Sequence, residues 1–400
     1  MSFLAEHILQ VKPSAVSLMS ARALEMERRG RDILRLSAGE PDFPTPDHIK
    51  VACIKALCEN KTKYPPVIGL PELRQAVCVK LNRDNDLDYS PEQVIVSSGA
   101  KQVLYNALAA SLNSGDEVII PSPYWMSYPA IVRLHRGSPV LAPTTPESGF
   151  KLGAEDLERA ITPRTKWLIL NTPGNPTGAV YSREDLAGLG EVLRRHPQVW
   201  TMCDDIYEHL VFDGLRFATL LNAAPDLRDR VLLVNGLSKT YSMPGWRLGY
   251  GVGPESLIQA MFKVQSQSTS GAATFVQWAA VEALLGDQSF IRARNEAFRE
   301  RRDLMVALVN RVEGLACRPP QGAFYCYVSC RALLERKTRE GRVIGKDEDL
   351  VSYFLDEVGV AAIHGAAFGL SPYFRLSFAA SQEVIRQACE RLEDARGRLK

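Results

Sequence analysis

The segment Asn235-Gly-Leu-Ser-Lys-Thr-Tyr-Ser-Met-Pro-Gly-Trp-Arg247 carries the sharpest chemical signal in this 400-residue chain. An apolar stretch ends at Val234, and a polar turn then presents Ser238 and Lys239. A lysine just beyond a buried strand can be desolvated, which lowers its pKa and frees a nucleophilic amine. A Schiff base with a carbonyl compound needs such an amine. Arg247 follows eight residues on and could return to the same place to hold a phosphate as a rigid fork. Alone, the segment reads equally well as a loop with two exposed cations.

Other segments place matching chemistry at strand ends. In Val199-Trp-Thr-Met-Cys-Asp204-Asp205-Ile-Tyr207 a carboxylate closes an apolar run. Open α/β sheets bind ligands at that end of a strand. Asp204 is the better candidate of the two aspartates, because it directly follows the strand. A pyridine ring kept protonated by a neighbouring carboxylate is a strong electron sink, as pyridoxal 5'-phosphate (PLP) requires. Asn171-Thr-Pro-Gly-Asn175-Pro-Thr-Gly178 is a tightly turned loop after another apolar run. Ser98, Gly99 and Ala100 open a helix whose N-terminal N–H groups suit a phosphate. Trp125, in Ser122-Pro-Tyr-Trp125, could stack on a flat heterocycle. Arg375 lies inside the apolar run Tyr373-Phe-Arg-Leu-Ser-Phe378. A buried cation there is costly unless paired, either by an ion pair or by a substrate carboxylate.

The elements that must position these groups alternate. Strands are expected at 93–97, 117–120, 138–141, 166–170, 199–203, 231–234 and 248–252, with helices at 101–112, 183–194 and 254–266. Most of the strands are continuously apolar, as in a sheet covered on both faces. The pattern predicts an α/β fold with a mostly parallel, seven-stranded sheet. Beyond it, a long helix at 287–311, a strand from Gly322, a helix at 348–357, a strand at 373–378 and a last helix from Ser381 suggest a smaller α+β unit. Pro41 to Pro46 reads as a linker. The expected division is an N-terminal segment 1–45 packing with the small domain, a large domain 46–290 and a small domain 291–400.

Net charge is +2, so a polyanionic partner is not implied, and the basic run Arg292–Arg302 reads as a solvated helix face. The eight cysteines form no zinc pattern and suit reduced thiols in the cytoplasm. No metal, nucleic acid or membrane partner is expected. The N-terminus lacks a secretory pattern, and no apolar run nears the roughly 20 residues of a membrane span.

Together the motifs resemble the class I, fold-type I aminotransferases, within them the bacterial aspartate aminotransferase branch. The resemblance runs from Lys12-Pro-Ser to the last helix. It rests on Ser37-Ala-Gly-Glu-Pro-Asp-Phe43, Lys61-Thr-Lys-Tyr64, Gly69-Leu-Pro-Glu-Leu-Arg74, Ser122-Pro-Tyr-Trp125, Asn171 to Ala179, Asp204-Asp-Ile-Tyr-Glu208, Ser238-Lys239, Gly245-Trp-Arg-Leu-Gly249 and Arg375-Leu-Ser377. It implies PLP as cofactor, with Lys239 as its Schiff-base lysine and proton shuttle. Asp204 would pair with the pyridine nitrogen, and Tyr207 and Asn175 with the 3-oxygen. Trp125 would stack on the ring. Ser98, Gly99, Ala100, Ser238 and Arg247 would hold the phosphate, joined by Tyr64 from a neighbouring subunit of a homodimer. Arg375 would clamp the substrate α-carboxylate, with Gly39 closing over it. Two stretches depart from the pattern: Ile363-His-Gly-Ala-Ala before Phe368, and Pro-Gly-Asn after Asn171.

For the substrate, Lys101 fills the place of a lysine that reads acidic side chains in this branch, and Lys12 and Ser14 are carried by acidic-substrate members. Aspartate:2-oxoglutarate transamination is the leading expectation. Glutamate– or aspartate–prephenate transfer, or a broader aromatic specificity, is the alternative. A transcription regulator with this fold would need an N-terminal DNA-binding domain, for which about 35 residues before Gly39 are too few. A non-catalytic relative conflicts with the intact Lys239, Asp204, Asn175, Arg247 and Arg375. Another PLP reaction, such as β-elimination, stays open, because fold does not settle reaction type.

Overall fold

The computed structural model describes residues 3–9 and 11–400. Its strands, in chain order, are β1 (Leu34–Arg35), β2 (Val94–Ser97), β3 (Glu117–Ser122), β4 (Ser138–Pro143), β5 (Thr165–Asn171), β6 (Trp200–Asp204) and β7 (Val231–Gly236). They continue with β8 (Gly249–Val252), β9 (Tyr325–Ser329), β10 (Val360–Ala361), β11 (Ile363–His364) and β12 (Tyr373–Ser377).

The large sheet runs β2-β8-β7-β6-β5-β3-β4. All seven strands expected for it form. Only β8 runs against its neighbours, pairing antiparallel with β2 and β7. The strands β2, β7 and β8 are buried along their whole length, whereas the edge strand β4 is largely accessible. Interior strands are apolar because helices cover both faces. One covering helix, Arg183–Arg195, shows how the sequence fixes an element. Ser182 Oγ accepts from Asp185 N, and the Asp185 carboxylate accepts from Ser182 N. This reciprocal cap satisfies two otherwise unpaired donors. Leu186, Leu189, Val192 and Leu193 recur at helical spacing and face the sheet core.

Sheet register brings the chemistry together. Asn171 at the end of β5 stands beside Asp204 at the end of β6, and Asp204 beside Val234 in β7. Gly236 pairs with Gly249, which pairs with Ser97 at the end of β2. A Cβ on Gly249 would fall 2.3 Å from Ala100 N. Only glycine lets the helix Ala100–Ser111 start so close to the sheet.

A three-stranded antiparallel sheet, β11-β12-β9, packs with the helices Ser289–Val309, Asp347–Val358 and Gln382–Gly397. The N-terminal region meets this part, through the parallel pair β1 and β10 and through Arg22, which forks onto Asp356 at 2.6 and 2.7 Å.

The basic run corrects the reading of a solvated face. Arg299 does face solvent with Glu296 and Asp303, but Arg302 is buried against Asp213 and Asp303. Arg294 donates to Pro44 O at 2.7 Å, and Arg301 pairs with Asp42 at 2.7 Å over the Phe43 ring. The proline-rich stretch 41–46 is therefore fastened to this helix. The composition of a run shows its charge but not which of its members turn inward.

Candidate active site

A cavity of about 310 Å³ opens where β5, β6 and β7 end. Lys239 lies in it, crowded by protein yet partly accessible from the cavity. Its Nζ donates to Gly39 O at 2.6 Å. Burial first, then the Arg375 charge, lowers its pKa to about 8. Near neutral pH this amine therefore deprotonates far more readily than an exposed lysine.

Asp204 also lines the cavity and is nearly fully buried. Its Oδ2 accepts from the Tyr128 hydroxyl at 2.6 Å, and Asn171 Nδ2 donates to its backbone oxygen at 2.8 Å. Its Oδ1 has no partner. Asp205 packs away from the cavity, with its N–H on Val234 O. Of the two aspartates, only Asp204 lines the cavity. Burial raises the Asp204 pKa to about 6, with the Tyr128 hydrogen bond opposing. The protonated carboxyl favours the empty fold below about pH 4, and this contribution is lost as pH rises through about 6. Asp204→Asn should therefore raise the melting temperature of the cofactor-free protein at pH 8 and give little gain at pH 4. Melts that differ equally at both pH values would exclude the carboxyl as the cause.

Across the cavity, Arg375 is 2% exposed. It donates through Nη1 to Asn175 Oδ1 at 2.9 Å and through Nη2 to Ser37 O at 2.8 Å, while Nε is unpaired. The guanidinium stacks 4.3 Å from the Tyr325 ring centroid and 5.0 Å from that of Phe368. No described carboxylate lies within ion-pair distance of it. The structural ion pair weighed for this arginine is thus absent among the described residues. Such a burial is expensive and demands an anion from outside.

Asn175 is held through its N–H on Asn171 Oδ1 at 2.8 Å. Tyr207 is buried, and its hydroxyl lies 2.8 Å from that of Tyr325. Trp125 lines the cavity edge-on to Tyr128. At the other end, Ala100, Ser238 and Arg247 line the wall. Arg247 reaches Pro244 O at 2.8 Å and Ser98 O at 3.4 Å. Gly99 has φ +91°, and a Cβ there would fall 2.6 Å from Arg247 Nη2. This glycine keeps the helix start and the arginine together, a cradle for an anion.

Lys101 and Ser14 also line the cavity, and Lys101 Nζ sits 4.8 Å over the Trp125 ring. Crowding, then Arg247, lowers the Lys101 pKa. Two expected residues are not gathered here. Lys12 lines an adjoining cleft of about 770 Å³, with Glu348 and His364. Tyr64 projects into solvent, 97% exposed. Tyr128, Tyr325 and Asn171 are at the site although the sequence reading gave them no role. The alternation of Tyr325 and Tyr327 in an apolar strand was the available signal, since buried tyrosine hydroxyls need partners.

The family model for aminotransferase class I and II matches residues 31–392. The chain belongs to the class I and II aminotransferases. A relative from Rhizobium leguminosarum bv. phaseoli, named a probable aspartate/prephenate aminotransferase, is 52% identical over 98% of each chain. An aspartate/prephenate aminotransferase from Cereibacter sphaeroides is likewise 52% identical over 98% of each. The crystal structure of the aspartate aminotransferase from Rhizobium meliloti superposes with a TM-score of 0.97, at 48% identity and full coverage of both chains. The cofactor of this aminotransferase is PLP, and the residues fit it. An unpaired, buried Asp204 Oδ1 suits a pyridinium N–H, Lys239 suits an aldehyde, and the Gly99–Arg247 cradle suits a phosphate.

Proposed function

We propose that this aminotransferase exchanges amino groups between aspartate and 2-oxoglutarate, in two alternating half-reactions on one site. The observation that carries the reading is Arg375, a buried guanidinium with no described carboxylate partner, across the cavity from a lysine of lowered pKa. An amino acid brings both what the arginine lacks and an α-carbon within the reach of Lys239.

The roles follow from that geometry. Arg375 and Asn175 bind the α-carboxylate and orient the substrate, with Gly39 closing over it. Lys239 would hold the cofactor through its aldehyde. Its free amine would take the proton from the substrate α-carbon and later return it. Burial, which lowers the pKa of this lysine, suits it to act as a base. Asp204 Oδ1 would hold a proton on the ring nitrogen, and Tyr207 and Asn175 would face the 3-oxygen. Trp125, which lines the cavity, would cover the ring and exclude water. Ser98, Gly99, Ala100, Ser238 and Arg247 would anchor the phosphate. Bound PLP supplies the sink for the electron pair left at the α-carbon.

Lys101 and Ser14 stand at the distal end and favour a second carboxylate. Prephenate is the second reading. The relatives named above support it, and so does the wide cleft holding Lys12 beside Ser14. The test is an absorbance titration of the PLP-loaded enzyme with aspartate, glutamate, alanine, phenylalanine or arogenate and no oxo acid. Aspartate and glutamate should convert the cofactor to its amino form at the lowest concentrations. A visible band unmoved by every amino acid would overturn the reading. In the same titration Lys101→Ala should weaken aspartate about tenfold and alanine hardly at all. Equal losses would remove Lys101 from the pocket.

The enzyme is proposed to be a homodimer with shared sites. Tyr64, which touches nothing in its own cavity, would reach the partner's phosphate. Val51 and Ile54, 62% and 59% exposed on one helix, offer an apolar face for the contact. Sedimentation should show a dimer, and Tyr64→Ala should loosen PLP without dissociating it. A monomer with full activity would exclude shared sites. Cytoplasmic residence fits eight unpaired cysteines, and recovery from a secreted fraction would contradict it. No helix among the described residues is long and apolar enough to cross a membrane.

A further inference from the structure

Tyr325 opens β9 and is 1% exposed, yet it lines the cavity. Its hydroxyl lies 2.8 Å from that of Tyr207. The Arg375 guanidinium sits 4.3 Å from its ring centroid. A Cβ added to Gly39 would stand 3.1 Å from its hydroxyl, so the loop that accepts Lys239 Nζ crosses directly over it. One side chain thus touches the carboxylate end of the site and the tyrosine facing the cofactor.

We infer that Tyr325 is a positioning residue that couples the carboxylate-binding Arg375 to the hydroxyl of Tyr207. The inference rests on the function proposed above. Between two hydroxyls only one direction of donation is possible at a time. A cation beside Tyr325 stabilises negative charge on its oxygen and makes it the stronger donor. Burial raises the Tyr325 pKa, and Arg375 is the first group opposing that rise. The favoured chain runs from the Tyr325 O–H to the Tyr207 oxygen. It leaves the Tyr207 proton free for a cofactor oxygen and strengthens that donation by polarisation. A carboxylate that neutralises Arg375 weakens the bias, and with it the hydrogen bond from Tyr207. Arg375, from β12, and Tyr207, from the segment after β6, are the charged and titratable groups facing Tyr325. Asp204 and Lys239 bear on Tyr207.

The test reads the pH midpoint of the visible absorbance of the PLP-loaded enzyme, with and without saturating succinate, a non-reactive dicarboxylate. Tyr325→Phe keeps the ring and removes the hydroxyl. A weaker Tyr207 hydrogen bond leaves more charge on the oxygen beside the titrating nitrogen. The midpoint without succinate should therefore rise by about half a unit or more. The displacement caused by succinate should shrink to less than half, while succinate affinity changes less than about threefold. Tyr325→Leu, which also removes the platform under Arg375, should weaken succinate about tenfold. Tyr207→Phe should shift the midpoint in the same direction, and adding Tyr325→Phe to it should add nothing. An unmoved midpoint in folded Tyr325→Phe, or additive shifts in the double variant, overturns the coupling. Should Tyr325→Phe not fold, Tyr207→Phe decides alone, because its displacement by succinate must shrink as well. Failure of the visible band to form in the wild type would instead overturn the proposed function.

Discussion

Lys239→Ala should lower turnover by about four orders of magnitude or more, because it removes the amine proposed to move the α-proton, while Lys101, the other lysine of the cavity, is turned onto the Trp125 ring. The fold should not suffer. A lysine whose pKa falls to about 8 on folding costs stability while it is charged, and that cost is relieved as pH rises from about 8 to 10.5. At pH 7 the cofactor-free variant should then melt no lower than the cofactor-free wild type. Any advantage should narrow towards pH 10. Turnover and pH-resolved melts check the two halves independently. A variant that is inactive because it is unfolded would fail the second half. A variant that keeps ordinary rates would end the role of Lys239. The opposite signs expected for function and stability follow from one fact, the removal of an amine from water.

Arg375→Ala should lower kcat/KM by roughly 10²- to 10³-fold for every amino acid. Two hydrogen bonds to a carboxylate are worth about 1.5–2 kcal/mol each, about 3–4 kcal/mol together. The uniformity is the informative part, since all substrates share the α-carboxylate. Arg375→Lys should recover only part of the loss, because a point charge cannot donate in two fixed directions. Steady-state kinetics with aspartate and alanine decide the matter. A loss confined to aspartate would place Arg375 at the distal end of the pocket and reverse its assignment with Lys101.

The large sheet was legible because burial on both faces writes itself as uninterrupted apolar runs, such as Leu168-Ile-Leu170 and Val231-Leu-Leu-Val234. Its carboxyl-end residues Asp204 and Lys239 were legible for the same reason, since each lies at or just beyond the end of a strand that could be read. The antiparallel β8 left no such trace, because direction depends on how a connection returns rather than on composition. Tyr128 and Tyr325 escaped because their meaning is relational. A tyrosine in an apolar segment looks like core until the hydroxyl opposite it is known. Lys12 was matched by position in a motif, and only the fold shows it beyond the cavity wall, in the neighbouring cleft. The inward turn of Arg302 likewise needed Asp213, which lies 89 residues away in the chain.

The backbone of residues 37–39 occupies both ends of the site. Ser37 O accepts from Arg375, and Gly39 O accepts from Lys239. These carbonyls are rivals of any incoming molecule, since Arg375 Nη2 and Lys239 Nζ already donate to them, although Arg375 Nε stays unpaired. Entry is then an exchange of partners, with little net gain from each hydrogen bond replaced. What tips the exchange is charge, because a carboxylate gives a buried guanidinium what a neutral carbonyl cannot. Uncharged analogues of the same shape meet a site that already has an occupant, and this resident loop screens molecules before any chemistry begins.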